Sequence, residues 1–192
     1  MVNQVVRTYT DLGLLEKEYQ EHEGAEDANT LYVQHTYDTT VASGAYTKGP
    51  RPTQVRYPNG RLPHLTYGSR GSMGDALGRL DALRDDDAGS PGDTLASYSY
   101  LGLGTVVIED YQQPEVRLEY YSSGSYGGFD RFGRVVDHTW YDYGASANRD
   151  RFTYGYDRAG NRLYRENTSV SGRMITIPMM MSTGSAITTA AI

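Results

Sequence analysis

Cysteine is absent from the 192 residues, which excludes disulfides, zinc–thiolate sites and thiol nucleophiles. Phenylalanine (three) and tryptophan (one) are scarce, and acidic residues outnumber basic ones to give a net charge of -6. That balance argues against non-specific nucleic-acid binding, which needs basic patches. The N-terminus, Met1-Val2-Asn3-Gln4-Val5-Val6-Arg7, has neither the basic start nor the apolar run of a signal peptide. Catalytic constellations are missing as well. His22, His35, His64 and His138 are scattered singly, without His-x-x-x-His spacing or a Ser or Asp partner set by motif. An isolated catalytic domain normally shows one such set, so the sequence predicts no enzyme, no cofactor and no metal.

What is abundant is tyrosine, eighteen residues of it. Tyr supplies large apolar area yet tolerates water, which suits a thin sheet with a core on one face only. The hydrophobic fraction of 38% lies somewhat under the usual globular range, although the length would allow the core of one ordinary domain.

The composition breaks near the C-terminus. From Met174 to Ile192 there is no charged residue and no aromatic, and four of the six Met fall here. If this stretch is reverse-translated and read one nucleotide earlier, the Met174/Ile175, Met179/Met180 and Met180/Met181 junctions must each encode Asp. Four of the six Ser codons make the Met181/Ser182 junction Val. The remaining junctions permit Asp-Asp-Tyr-Tyr-Thr-Tyr-Asp-Asp-Val-Asn-Arg-Leu, a Tyr-Asp string like the in-frame Tyr154-Gly155-Tyr156-Asp157-Arg158-Ala159-Gly160-Asn161-Arg162-Leu163. The tail therefore reads as an out-of-frame translation of a further repeat, expected to be irregular or disordered. Its uncharged length is near that of a membrane span, but Thr176, Pro178, Ser182, Thr183, Gly184 and Ser185 dilute its hydrophobicity, so no membrane span is expected.

Internal self-similarity decides the fold. The unit is an aromatic, Asp, two variable residues, Gly, then Arg and an aliphatic. It occurs at Tyr156-Asp157 through Gly160 to Arg162, at Phe129-Asp130 through Gly133-Arg134, and at Tyr57 through Gly60-Arg61. Weaker copies are Tyr9 to Leu15, Asp75 to Leu80 with Gly78-Arg79, and Tyr98 to Gly104, with a half-copy at Tyr37-Asp38. The glycines recur at roughly twenty to thirty residues, the range of repeat architectures. Aromatic and β-branched residues before the Asp favour a half-buried strand. Asp ends that strand by bonding nearby amides, Gly provides the positive φ of a tight hairpin, and Arg-aliphatic opens the return strand. On this reading Asp157 and Arg162 meet across the hairpin.

The motif resembles that of the rearrangement-hot-spot, or YD-repeat, family, which includes bacterial wall-associated proteins and resembles the repeat region of animal teneurins. The resemblance runs from Thr8 to about Thr168 and is strongest at Phe129 to Arg165. It implies antiparallel strands winding into a β-sheet spiral that closes into a shell around a variable C-terminal toxin or effector, released by self-cleavage of a core region just before it. This sequence starts in mid-repeat and shows neither that core motif nor an effector, so toxin activity is not carried over.

Other features compete. Asp85 to Asp93 has enough carboxylates for a calcium loop, but lacks EF-hand spacing and reads as a solvated turn. Ser122 to Gly128 is Gly-rich without a phosphate-loop Lys and reads as a flexible hairpin loop. Trp140, Tyr141 and Tyr143 are candidate carbohydrate contacts, although strand packing explains them too. Met73, Leu77, Leu80 and Arg84 follow helical spacing, and Leu14 to Glu23 has a helix-favouring composition, so a short helix at Gly74 to Arg84 is the alternative to an all-β reading.

The expectation is thus an all-β chain of antiparallel hairpin repeats over residues 1–168 with an out-of-frame tail over 169–192. Its role would be a structural segment of a cell-surface or secreted protein, partnered by the remainder of the parent and its effector. Carbohydrate binding, or no independent function at all, are the alternatives. Repeat arrays bury apolar surface against neighbours, so uncapped edges should leave this chain sticky or marginally folded.

Overall fold

A computed structural model describes residues 3–38, 50–120, 127–169 and 173–176. They divide into two compact units, Met1–Arg117 and Leu118–Ile192. In the first unit the strands are β1 (Gln4–Tyr9), β2 (Leu15–Glu21), β3 (Tyr32–Asp38), β4 (Arg51–Arg56), β5 (His64–Tyr67), β6 (Leu80–Asp87), β7 (Ser90–Leu101) and β8 (Thr105–Tyr111). Each pairs antiparallel with the next in sequence. β9 (Val116–Glu119) spans the division, and the second unit holds β10 (Asp137–Asp142), β11 (Ala147–Tyr156), β12 (Arg162–Asn167) and β13 (Arg173–Thr176), again paired in order and antiparallel.

The architecture is all-β, as the hairpin repeats predict. Local connections are what short turns between adjacent strands allow, and no long crossover is needed. The helical alternative is confined to one turn, α1 (Met73–Ala76), capped by Ser72, whose hydroxyl accepts the Asp75 amide. Gly78 ends it at φ 64°, and Leu80 and Arg84 of the helical pattern lie in β6. Leu15–Glu21, despite its composition, is β2, hydrogen-bonded on both sides, because cross-strand pairing outweighs intrinsic propensity.

The segment expected to be irregular from residue 169 includes β13, whose Arg173–Thr176 pair in register with Tyr164–Asn167 of β12. The rest of the tail, 170–172 and 177–192, lies outside the described residues, as do residues 122–126 of the Gly-rich loop.

Burial is thin. Only Ala82, Ala96 and Val107, on adjacent strands β6, β7 and β8, are fully buried hydrophobics among the described residues. Most strand positions are half-buried instead, as in a single layer whose side chains cover one another along one face. In the second unit that face carries an aromatic group: His138 sits 5.5 Å from Phe152, 5.6 Å from Tyr154 and 5.8 Å from Tyr120, which also meets Phe129 at 5.2 Å. Burial, reinforced by the nearby Arg165 guanidinium, lowers the His138 pKa and keeps the imidazole neutral.

Candidate functional site

The repeat motif builds one turn four times. At Thr10, Tyr57, Asp130 and Asp157 the first residue's amide donates to the carbonyl of the fifth, Leu14, Arg61, Arg134 and Asn161, at 2.8, 2.9, 2.9 and 3.0 Å. The glycine at the fourth place donates back to the first residue's carbonyl at 2.8 to 3.2 Å. Those glycines, Gly13, Gly60, Gly133 and Gly160, have φ of 75°, 85°, 76° and 90°, the left-handed conformation that closes this hairpin loop and that a Cβ disfavours.

Asp at the first place locks the turn. The Asp130 carboxylate accepts the Phe132 and Arg134 amides at 2.9 and 3.0 Å and the Arg134 Nε at 2.6 Å. Partial burial opposes its ionised form, but these bonds outweigh it and hold the pKa below the ordinary aspartate value. Asp157 is held low chiefly by the Asn161 side chain, with the Asn161 amide adding to it. Thr10 does the same work more weakly, its hydroxyl accepting the Leu14 amide at 3.2 Å.

The arginine after the glycine acts elsewhere than expected. Asp157 and Arg162 form no ion pair among the described residues, because Asn161 occupies the carboxylate and Arg162 leans toward the Tyr154 ring at 6.0 Å. Instead the arginine reaches the next repeat. Arg134 lies over the Tyr156 ring at 4.6 Å and donates to the Asp157 carbonyl at 3.2 Å, while the Tyr156 hydroxyl donates to the Val135 carbonyl at 2.9 Å. Arg79 lies over Tyr100 at 5.3 Å and donates to the carbonyls of Gly102 and Leu103, and the Tyr100 hydroxyl donates to Leu80 at 2.7 Å. Arg51 lies over Tyr67 at 4.3 Å and donates to the Asp75 carbonyl, and the Tyr67 hydroxyl donates to Pro52 at 2.8 Å. A fourth case keeps the hydroxyl bond without the cation, Tyr37 to Leu15 at 2.9 Å, where Leu14 precedes the acceptor.

Register explains the recurrence. Extending the observed pairs Gln54↔His64, Ala82↔Ser97, Asp137↔Thr153 and Lys17↔Gln34 by three residues sets Arg51 opposite Tyr67, Arg79 opposite Tyr100, Arg134 opposite Tyr156 and Leu14 opposite Tyr37. Each clasp therefore joins the start of one strand to the end of the next: ring under guanidinium, hydroxyl to the following carbonyl. A cation over a partly exposed ring contributes about 0.5–1 kcal/mol. The rings of Tyr67 and Tyr100 are buried enough to raise their hydroxyl pKa, so both remain protonated donors.

Sequence reasoning missed the Arg51 centre. Asp75 is the most buried polar residue described, 1% exposed, and accepts Arg51 Nη2 at 2.9 Å and the Gly71 amide at 2.8 Å. The signal was available in the spacing of Tyr hydroxyl and acceptor, which stays within 15 to 22 residues in all four clasps. Of the remaining motif residues, Tyr57 is 45% exposed, and Arg61 reaches Asp85 at 3.7 Å on the surface.

The other candidate residues are dispersed. Trp140 and Tyr141 are consecutive in β10 and so leave opposite faces of the strand, and Tyr143 lies in the turn beyond it; all three are half-buried. Asp85, Asp86 and Asp87 end β6, and Ala88-Gly89 turns back into β7 with both φ positive, 51° and 89°. Asp86 binds His64 Nε2 at 2.8 Å, and His64 Nδ1 meets the Gln54 amide nitrogen at 3.2 Å, which makes a buried polar bridge. No group of three or more metal-ligating side chains is assembled among the described residues. A polar depression of about 200 Å³ lined by Glu119, Thr139 and Asn148 holds Asp137 and Arg151, which pair with each other at 2.5 Å.

No protein-family model and no curated protein matches this sequence. Solved structures do. The chain aligns with the Tc holotoxin pore of Photorhabdus luminescens carrying a TccC3 mutation, at TM-score 0.56 and 17% identity over 81% of this chain and 7% of that one. It also aligns with the crystal structure of TcdB2-TccC3-TEV, at TM-score 0.59 and 16% identity over 86% of this chain and 8% of that one. TccC3 is an RHS/YD-repeat protein. The fold is that of an RHS/YD-repeat sheet. At such identity the likeness concerns the fold, and this chain spans less than a tenth of the length of either chain it matches. The clasps and turns are accordingly the local chemistry by which this sequence makes a YD-repeat sheet.

Proposed function

We propose that this chain is a structural segment of an RHS/YD-repeat protein, a stretch of wall that helps enclose and present an effector at the cell surface or outside the cell, and that it catalyses nothing itself. The observation that carries this reading is the clasp: motif residues Arg79 and Arg134 lie over Tyr100 and Tyr156 of the neighbouring strands, and Arg51 lies over Tyr67 in the same way, so that these pairs tie the sheet laterally. Buried polar groups such as Asp75 and His64 are likewise engaged with partners inside the sheet. No described helix is long and apolar enough to cross a membrane.

Residues 1–168 are the repeat region and 169–192 the end of it in a shifted frame. In support, the alternative frame permits a tyrosine at the Pro178/Met179 junction, sixteen or seventeen residues after Arg162, close to the sixteen that separate Arg51 from Tyr67. Sequencing the genomic DNA through and beyond codon 173 tests the shift. Expression of the frame-restored parent with its C-terminal region then tests enclosure. The effector should resist protease while the repeat region is intact and be digested once that region is opened, whereas digestion at the rate of the free effector in both cases rejects the wall role.

A further inference from the structure

Charge is divided unevenly along the chain. Residues 118–192 carry eight arginines against seven acidic residues, whereas the whole chain stands at -6. Within the second unit most of the acids are already engaged. Asp137 pairs with Arg151, Asp142 with Arg149 and Asp130 with Arg134, while Asp150 and Asp157 accept the Asn167 and Asn161 side chains. Arg131, Arg158 and Arg162 have no acidic partner among the described residues.

These three arginines gather at one end of the sheet. Arg131 and Arg158 hold the second places of the Asp130 and Asp157 turns, and Arg162 opens β12 directly after the latter. The two turns are neighbours, since Arg134 of the one donates to the Asp157 carbonyl of the other at 3.2 Å. With Arg134 included, four guanidiniums stand here against the carboxylates of Asp130 and Asp157. Between them is an exposed ring. Phe132, at the third place of its turn, is 66% exposed and lies against Arg131 at 4.7 Å and Arg134 at 5.2 Å. Closure of the hairpin asks nothing of that side chain, because Leu12, Asn59 and Ala159 hold the same place in the other three turns.

We propose that the paired turns at Asp130 and Asp157 form a tip that docks on an anionic lipid surface, with Phe132 entering the boundary of the acyl region and Arg131, Arg158 and Arg162 meeting the phosphate and carboxylate headgroups. A convex tip with an apolar ring fringed by cations matches a bilayer, which offers negative charge and an apolar layer within one side-chain length. An acidic polymer would satisfy the cations and leave the ring in water. The contact lies on the membrane and does not cross it. It goes beyond the enclosing-wall reading, since a wall segment encloses an effector with or without lipid contact. Because the chain as a whole is acidic, attraction depends on the local cluster and reaches only about 8 Å at physiological ionic strength.

The test uses the full chain and vesicles of phosphatidylcholine with or without phosphatidylserine, separated by sedimentation. The chain should sediment with the anionic vesicles, stay in solution with the neutral ones and be released by molar salt. Arg131→Gln combined with Arg158→Gln should weaken binding about tenfold or more. Phe132→Ser should weaken it as well, whereas Leu103→Ser, at another turn tip 81% exposed, should bind like the parent chain. Phe132→Trp adds a second tryptophan to Trp140, and brominated lipid should quench the emission of that variant but not of the parent. Unchanged circular dichroism checks that the variants stay folded. Equal sedimentation with neutral vesicles, insensitivity to the arginine pair, equal losses for Phe132→Ser and Leu103→Ser, or unquenched Phe132→Trp emission each overturns the proposal. So does retention on heparin or polyglutamate beads without vesicle binding, which would make an acidic polymer the partner. None of these outcomes touches the protease test of the enclosing wall.

Discussion

Removing one clasp should cost more than either of its halves suggests, and the pair Arg134–Tyr156 allows the measurement. The Tyr156 hydroxyl bond to Val135 is 2.9 Å long and half-buried. Tyr156→Phe deletes it and leaves a carbonyl without its donor, a loss of about 1 kcal/mol. Arg134→Ala removes more: the stacking at 4.6 Å, the 2.6 Å bond to Asp130 and the bond to the Asp157 carbonyl. The Arg134 side chain is 27% exposed and its ion pair is partly screened, so that contact counts at the low end, and the substitution should cost about 2 kcal/mol. Tyr156→Ala combined with Arg134→Ala should then show a coupling of about 0.5–1 kcal/mol, the part of the energy that exists only when ring and guanidinium are both present. Urea unfolding followed through Trp140, on β10 beside β11, reads the unit that contains both residues. For a chain of this size each kcal/mol moves the melting midpoint by roughly 2–4 °C. Strict additivity of the two substitutions would refute the clasp as an energetic unit, whatever the geometry.

Other perturbations reach different parts of the same design. A Cβ at Gly155 would overlap the Tyr164 ring, its cross-strand neighbour, and one at Gly128 would overlap the Tyr120 and Asp137 carbonyls. Gly155→Ala should therefore be tolerated only as far as the ring can move, whereas Gly128→Ala, set against rigid backbone, should lower the melting midpoint more; the reverse order in thermal scans contradicts this. Asp130, Asp142 and Asp157 all have depressed pKa values, so the folded state binds fewer protons than the unfolded chain just below the ordinary Asp value. Their contribution is present above about pH 4 and lost as pH falls through the folded values, and Asp130→Asn with Asp157→Asn should flatten that acid limb of a stability-against-pH curve. His138 is kept neutral by burial, so stability should also decline as pH drops from the ordinary imidazole value of 6.5 toward the lowered one, a slope that His138→Phe should abolish. Asp75→Asn removes the carboxylate, 1% exposed, that pairs with Arg51, whose side chain is 16% exposed and keeps Asp38 at 3.9 Å, and should cost about 2–3 kcal/mol in urea titrations; a loss below 1 kcal/mol would show that the pair is incidental.

The turns were legible because their chemistry is local. Only Gly adopts φ of 76° or 90° freely, and only a short acceptor three residues earlier can lock such a loop, so Asp130 with Gly133 and Asp157 with Gly160 announce themselves. The arginine was misassigned because hairpin logic looks for its partner inside the same turn. In the turn at Asp157, Asn161 satisfies the carboxylate and Arg162 leans toward Tyr154 of the same hairpin, whereas Arg134 pairs with Asp130 in its own turn and also reaches Tyr156 one repeat away. Helical spacing from Met73 to Arg84 was real but ended after one turn, because Gly78 in the left-handed region redirects the chain into β6. Asp75 was visible only as a weak copy of the motif, since its burial comes from Arg51, which precedes a proline and carries no repeat signal of its own.

A sheet whose described residues include only three fully buried hydrophobics is not held mainly by a core, and the preference for tyrosine over phenylalanine follows from that. Phenylalanine would give as much apolar area but could make neither the hydroxyl bond to the neighbouring strand nor the same hydrated face. With Tyr the lateral bond is repeated at intervals set by strand length, and each clasp engages only adjacent strands, so stability accumulates as a sum of neighbour terms. The energetic consequence is directional. Loss of a clasp in the middle of a unit loosens strands on both sides of it, whereas the exposed Tyr9 ring at the end of β1 takes part in no described clasp. Arg79→Ala should therefore broaden or split the unfolding transition of the first unit, while Tyr9→Ala should leave its midpoint within about 0.5 °C, close to the neutrality expected of exposed positions. A Tyr9→Ala chain that melts several degrees lower would mean that the ring is held by the rest of the chain and that neighbour terms extend beyond the clasps.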